Sequence, residues 1–365
     1  MGGGPERPIP PVRPSAAIAS SAGREGGFLG FLRSHPILCL AILTPGIPEY
    51  LSTSSSLLSI AVNPAWFVIQ LSINVAQYTA GALLIREAIL RWNKGWGSLF
   101  MLGLAYGITE EGLGDNTLFN SNHGADGFLG WFGRFDGVNW VWSTGVLSFH
   151  VIYSIGLPLL LLGLALPQTR GHSLLRGRGI AACFTTLIAS TSLEAVIVYG
   201  SFHFWMGFGP LVGSLLVISA LVIVAYMLPP GAWRPAREQP ALSATVAGLC
   251  GFGVFPVLFV LEYFVPSFGV PPAFIIAMEV VFLAAVLEAL RRTVGRQGNE
   301  YALVNLAYGF VLWQAVFGIL LTIPIFYTIP LVVVAVWFFT RLRHAYAPHQ
   351  TLNPPAGAVG ALEAP

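Results

Sequence analysis

The sequence predicts an all-α fold, a polytopic bundle of about ten transmembrane helices with both termini in the cytoplasm. Three observations predict it. Only 9% of the 365 residues are charged and 55% are hydrophobic, where an ordinary soluble domain carries roughly 25% charged residues. Apolar runs of about 20 residues, the length that crosses a bilayer, recur along the chain. Arginine and lysine are confined to alternate connections between those runs. The 16 acids and 18 bases leave a net charge of +2, which excludes a polyanion-binding protein. The partner this composition implies is the lipid bilayer, and it implies no nucleic acid.

The elements follow in order. Residues 1–27 are rich in Gly, Pro, Ser and Arg and lack an apolar core, so they read as a disordered cytoplasmic tail. They contain no signal-peptide core leading to a small-residue cleavage site. Residues 28–343 form the transmembrane domain. Its spans are expected near 29–50, 64–86, 96–114, 139–166, 179–203, 209–228, 242–264, 271–290, 301–320 and 323–341. The last two share a tight hairpin around Pro324 and Pro330. Residues 115–138 form the largest extracytoplasmic loop, and their Gly, Asn and Asp content reads as turns. Residues 344–365 form a second disordered cytoplasmic tail. Cys39, Cys183 and Cys250 are odd in number and scattered through apolar runs, which reads as core filler rather than a disulfide framework.

The bases set the orientation. With ten spans, 17 of the 18 bases fall on one side and Arg134 alone falls on the other. The positive-inside rule makes the crowded side cytoplasmic and the compartment a cell (inner) membrane.

Ionisable groups inside a span cost about 2.5–3.5 kcal/mol each at mid-helix and need a reason. Glu110 and Glu111 lie roughly 20 Å along the third span, His150 roughly 15 Å into the fourth, and Glu194 roughly 22 Å along the fifth. His203 lies near the outer end of the fifth. Gly103, Gly107, Glu111 and Asp115 share one helix face, and the glycines allow a close neighbour, so that face points into the bundle. Tyr106 and Glu110 share the next face, and His150 shares one with Ser154. Glu194 and His203 lie on opposite sides of one helix. Glu49 and Glu262 sit at helix ends and read as structural or mouth-lining groups, and Glu279 stands alone. Tyr106, Asp115, Asn116 and Glu194 are the candidate substrate contacts.

Adjacent carboxylates in a membrane repel, so the pair calls for a proton or a cation between them. A divalent metal such as zinc, a proton-titrating carboxylate, and a catalytic acid–base pair all meet that demand. A purely structural network that satisfies helix ends and loop amides is the fourth reading.

The order of these residues resembles the CPBP (Abi) family of intramembrane peptidases, whose members carry EExxxR, then FxxxH, then a further His motif. Here the matching segments are ITEEGLGDN with Glu110 and Glu111, VLSFHVIYS with His150, and VYGSFHFW with His203. The motif arginine falls on Asp115, and the aromatic position before the first His falls on Val146. The resemblance implies an endopeptidase in which a glutamate activates water and the histidines bind a metal or the oxyanion. On that reading Glu111 is the general base and Glu110 orients it or shares the metal, so Glu110, Glu111, His150 and His203 form the catalytic and metal-ligating set.

Two alternatives stay open. One is a carrier or permease for a small or lipophilic substrate with a proton-titrating carboxylate, its helices broken at Pro45, Pro48, Pro158, Pro210 and Pro256. No GxxxxGK[ST] phosphate-binding loop is present, so its energy would come from a gradient or a separate partner. The other is a non-catalytic membrane scaffold.

Overall fold

A membrane solvent demands that backbone groups pair internally, and the chain meets that demand with helices. The structure, a computed structural model, describes residues 31–32, 34–230, 232–233, 243–293, 300–321 and 329–347. The expected N-terminal tail, residue Pro324 of the hairpin and residues 348–365 of the C-terminal tail lie outside the described residues.

The helices are α1 (Pro36–Pro45), α2 (Ser59–Val62), α3 (Pro64–Arg91), α4 (Trp96–Gly107), α5 (Trp140–Phe149), α6 (Leu157–Ala165), α7 (Gly177–Phe202), α8 (Phe208–Met227), α9 (Ala244–Tyr263), α10 (Pro272–Thr293), α11 (Glu300–Leu321) and α12 (Ile329–Tyr346). Among the described residues, seven segments are long and apolar enough to cross a membrane: Pro64–Arg91, Trp140–Ala165, Gly177–Phe202, Phe208–Met227, Ala244–Phe268, Pro272–Arg291 and Glu300–Leu320. Three of the ten expected spans are not among them. Pro36–Leu51 is shorter than a full span. The segment from Trp96 carries Glu110 and Glu111, and Ile329–Tyr346 ends on Arg341, Arg343 and His344.

Contacts sort the helix ends into two groups. At one end Arg86 donates to the Thr169 and His172 carbonyls at 2.6 and 2.8 Å. Its neighbour Glu87 accepts from Ser173 Oγ and the Leu174 amide at 2.5 and 2.7 Å. Lys94 donates to the Leu228 carbonyl at 2.6 Å, and Arg170 meets Glu300 at 2.5 Å. The bases here cap carbonyls left open at helix ends. At the opposite end Phe128 packs edge-on against Tyr263 at 5.7 Å, and Leu129, Val141 and Ile275 form a small apolar cluster.

The 115–138 loop has structure of its own. β1 (Arg134–Phe135) pairs antiparallel with β2 (Val138–Asn139). Asp136 and Gly137 turn between them with φ of 51° and 78°, the left-handed pair that a tight hairpin takes. Arg134, the one base expected on this side, donates to the Phe119 and Gly137 carbonyls at 2.9 and 3.1 Å and also to Gly130. It staples the loop. Asn139 caps α5 by accepting from the Trp142 amide at 3.2 Å.

Three helices leave the α path at one level. α1 continues as a π-helical turn over Gly46–Leu51, α4 continues as one over Ile108–Gly114, and α5 passes into one over His150–Gly156. Pro48 and Pro158 supply a local cause, since each lacks the N–H that would close an α turn four residues back. Gly112 and Gly114 serve the same purpose in the middle segment. π turns inside α-helices concentrate at functional sites.

Candidate functional site

The three π-helical turns carry Glu49, the Glu110–Glu111 pair and His150, and they bring these side chains together. His150 Nε2 lies 2.8 Å from Glu111 Oε1 and 2.9 Å from Glu110 Oε2. All three residues are at most 8% exposed. The Gly103/Gly107 face lies against α5, as its pattern predicts. A Cβ at Gly103 would sit 3.2 Å from Val151, and one at Gly107 3.0 Å from Leu147 and 3.2 Å from His150. The bare faces of α4 therefore set the depth at which the carboxylates meet the imidazole.

The hydrogen bonds around the pair are unequal. Glu111 is held on both oxygens. His150 faces Oε1, and Thr117 Oγ1 donates to Oε2 while accepting from Trp142 Nε1 at 3.0 Å. Glu49 is held on both as well. Tyr78 donates to its Oε1 at 2.5 Å, and Ser55 Oγ to its Oε2 at 2.7 Å. Asn74 and Gln70 in turn donate to Ser55 at 3.0 and 3.1 Å. Glu110 is the incomplete one. Its Oε1 lies 3.2 Å from the Tyr78 hydroxyl, whose single proton is already directed to Glu49. Its Oε2 is buried and faces only His150 Nε2, at 2.9 Å, the nitrogen that Glu111 Oε1 also faces, so one ring N–H is shared between two carboxylates. His150 Nδ1 sits 2.9 Å from Ser154 Oγ, a hydroxyl able to serve either ring tautomer.

The cluster floors a pocket of about 910 Å³. Glu194 and Asp115 line it too. Gln77 Nε2 donates to Glu194 Oε2 at 3.0 Å, and Gly114 is bare where a Cβ would overlap that oxygen. Asp115 Oδ1 lies 3.2 Å from His123 Nε2. Beneath the cluster, toward the Arg86 end, Tyr78, Tyr106, Leu99, Leu102, Ile85 and Ile155 pack into a closed apolar layer. The pocket belongs to the opposite end, where residues 53–56 and Phe202 also line it.

The remaining candidates fall elsewhere. His203 is exposed, caps α7 in a left-handed conformation with φ 53°, and does not line the pocket. It therefore stands apart from the Glu110, Glu111 and His150 group. His123 from the loop is the second imidazole in the pocket wall. Asn116 turns the backbone at φ 62° and donates to the Gly114 carbonyl at 2.9 Å. It is a turn residue and does not line the pocket. Tyr106 stands behind the cluster, its ring 6.0 Å from His150 and filling the space over Gly81.

The sequence marks Glu49 only as a structural or mouth-lining group and does not single out Tyr78, Thr117 or His123. A signal for part of this set was present. Gln70, Asn74 and Gln77 with Tyr78 recur at helical spacing along one apolar span, which marks a buried polar face. Attention to charged side chains alone missed it.

Glu110, Glu111 and His150 each offer one ligand atom, and the three lie within 4.8 Å of one another. One imidazole and two carboxylates, with pocket space beside them, suit a three-ligand zinc site with an open fourth position. The crowding of two carboxylate oxygens on a single imidazole nitrogen fits such an ion.

No family model matches the chain, and neither a curated protein nor a solved structure matches it. The chain is a helical, membrane-spanning protein with a buried Glu-Glu-His cluster.

Proposed function

We propose that the protein is a multi-pass membrane hydrolase of the intramembrane-peptidase kind, related in residue order to the CPBP peptidases. The observation that carries this reading is the convergence of two adjacent carboxylates on one imidazole nitrogen at the floor of a pocket. Glu111 acts as the general base. Thr117 and His150 hold both its oxygens and leave lone pairs for a water, which is the positioning a base requires. His150 is in turn steadied by Ser154, and Glu110 approaches it from the other carboxylate position. Were zinc held by Glu110, Glu111 and His150, it would replace the His150–Glu111 hydrogen bond, and the water would be activated by the metal, which lowers its pKa toward neutrality, instead of by Glu111 as free base. An apolar cluster packs under the Glu-Glu-His group on the side away from the pocket. The test is mass spectrometry of membrane-embedded peptides incubated with the purified protein in liposomes. Cleavage products sustain the reading, and intact peptides beside measurable substrate flux replace it with transport.

Thr117 provides a finer test. Thr117→Val keeps the shape, removes the donor to Glu111, and strands the Trp142 indole N–H. The expected loss is about tenfold in kcat, the worth of one charge-assisted hydrogen bond. Thr117→Ser is expected to retain activity. Equal kcat in the Val variant would detach Thr117 from the base.

The topology proposed with this function is ten spans, both termini cytoplasmic, in an inner membrane. It rests on the asymmetry of the bases and places the pocket on the extracytoplasmic side. A reporter enzyme active only outside the cytoplasm, fused after Pro348, is expected to be silent. The same reporter inserted in the 115–138 loop is expected to be active. The reverse pattern would invert the protein and move the pocket to the cytoplasmic face.

A further inference from the structure

One buried acid in the pocket takes no part in the Glu-Glu-His cluster. Glu262, near the end of α9, is 7% exposed, and its Oε1 has no hydrogen-bond partner among the described residues. The carboxylate lies against Gly145 of α5, where a Cβ would overlap that oxygen. Gly145 is mid-helix, so its backbone N–H is already committed to the helix and leaves the carboxylate unanswered. A carboxyl group held bare in an apolar wall must keep its proton or take a positive partner.

The surroundings say what kind of partner. Phe255 and Phe259 stand on the same helix as Glu262, Phe149 lies one turn along α5 from Gly145, and Trp313 and Phe317 come from α11. Their rings pack on one another, with centroids 6.0 Å apart for Phe149–Phe255 and 5.8 Å for Phe259–Phe317 and Trp313–Phe317. Aromatic faces attract cations, and a carboxylate among them is how proteins recognise ammonium groups. The charge census of the whole pocket points the same way. Glu49, Glu110, Glu111, Asp115, Glu194 and Glu262 line it, and no Lys or Arg does among the described residues.

We infer that Glu262 and this aromatic wall form a binding site for an alkylammonium group, the cationic part of an amphiphilic ligand. Gly145 precedes His150 by five residues on one helix, which puts the two subsites about 7.5 Å apart along its axis. Gly145, Glu262 and His150 all line the one pocket, so a single extended ligand lying in it reaches both subsites. That the ammonium belongs to the hydrolysed substrate rests on the hydrolase reading. That it binds at Glu262 does not.

The test is isothermal titration calorimetry on the full chain in a neutral maltoside detergent, with hexyltrimethylammonium, hexylammonium and hexanol as probes. At least one cation is expected to bind saturably and at least tenfold tighter than hexanol. Glu262→Gln should weaken cation binding at least tenfold and leave hexanol unchanged. Preference for the quaternary probe points to a lipid head group as the source of the cation. Preference for the primary amine points to a lysine side chain. Should the Gln variant fail to fold by thermal melt, the wild-type ratio of cation to hexanol decides alone. Hexanol binding as tightly as the cations, or a folded Gln variant that binds them as the wild type does, overturns the site. Neither outcome depends on whether any bond is cleaved.

Discussion

Glu111→Gln is expected to abolish peptide cleavage while leaving the fold intact. Gln keeps the size of the side chain, and its carbonyl still accepts from a donor at one position. It has no lone pair basic enough to take a proton from water. General-base catalysis by a positioned side chain is worth about 10²–10⁴ in rate, so the expected loss in kcat is of that order. The substitution also turns one accepting oxygen into a donor facing His150 or Thr117. A modest fall in melting temperature is therefore expected, and the melt must be measured beside the rate. The variant separates the competing readings. A carrier that needs Glu111 only as a hydrogen-bonding group tolerates Gln and fails with Ala. A carrier that cycles a proton through it loses gradient-driven accumulation and keeps downhill exchange. Unchanged cleavage in a folded Glu111→Gln protein would remove the base assignment outright.

How much of this could be read from the chain differs by level. The helical membrane class follows from composition, because a bilayer leaves the backbone few options. The alternation of arginines placed residues 86–94 and 170–178 at one end, and the Arg86–Thr169 and Arg91–Leu175 contacts join those segments there. Glycine spacing placed Glu111 on an inward face, and depth counting put His150 beside it. The differences have separate physical causes. Helical phase was counted at 3.6 residues per turn, and all three segments that build the cluster are π-helical, which shifts every side chain after the wide turn. Glu49, judged a helix-end group, enters the site by that shift. His203 is the exposed left-handed C-cap of α7 and does not line the pocket, a conformation that its apolar flanks do not announce. His123 was illegible because its place depends on how the 115–138 loop folds back, which Arg134 and the β-hairpin set.

The second large effect concerns the wall opposite the cluster. Gly309→Ala is expected to cost about 3 kcal/mol or more, enough to unfold a protein of ordinary marginal stability in part or whole. α9 and α11 cross with backbone against backbone. A Cβ at Gly309 would overlap the Gly248 carbonyl and lie 2.7 Å from the Phe252 amide, and one at Gly251 would overlap the Leu306 carbonyl. A flexible side chain can swing aside from a methyl group, but a helix backbone cannot, so the two helices must separate along their length. These helices carry Phe255, Phe259 and Glu262 on one side and Trp313 and Phe317 on the other, so the ammonium site opens with the crossing. Gly253 supplies the control within α9. A Cβ there meets nothing within 4 Å, so Gly253→Ala should be neutral or stabilising by up to about 1 kcal/mol through helix propensity. Thermal melts in detergent with an intrinsic tryptophan readout measure both. A Gly309→Ala protein that melts with the wild type would mean that α9 and α11 do not cross at that glycine. The arrangement of the aromatic wall would then have to be redrawn.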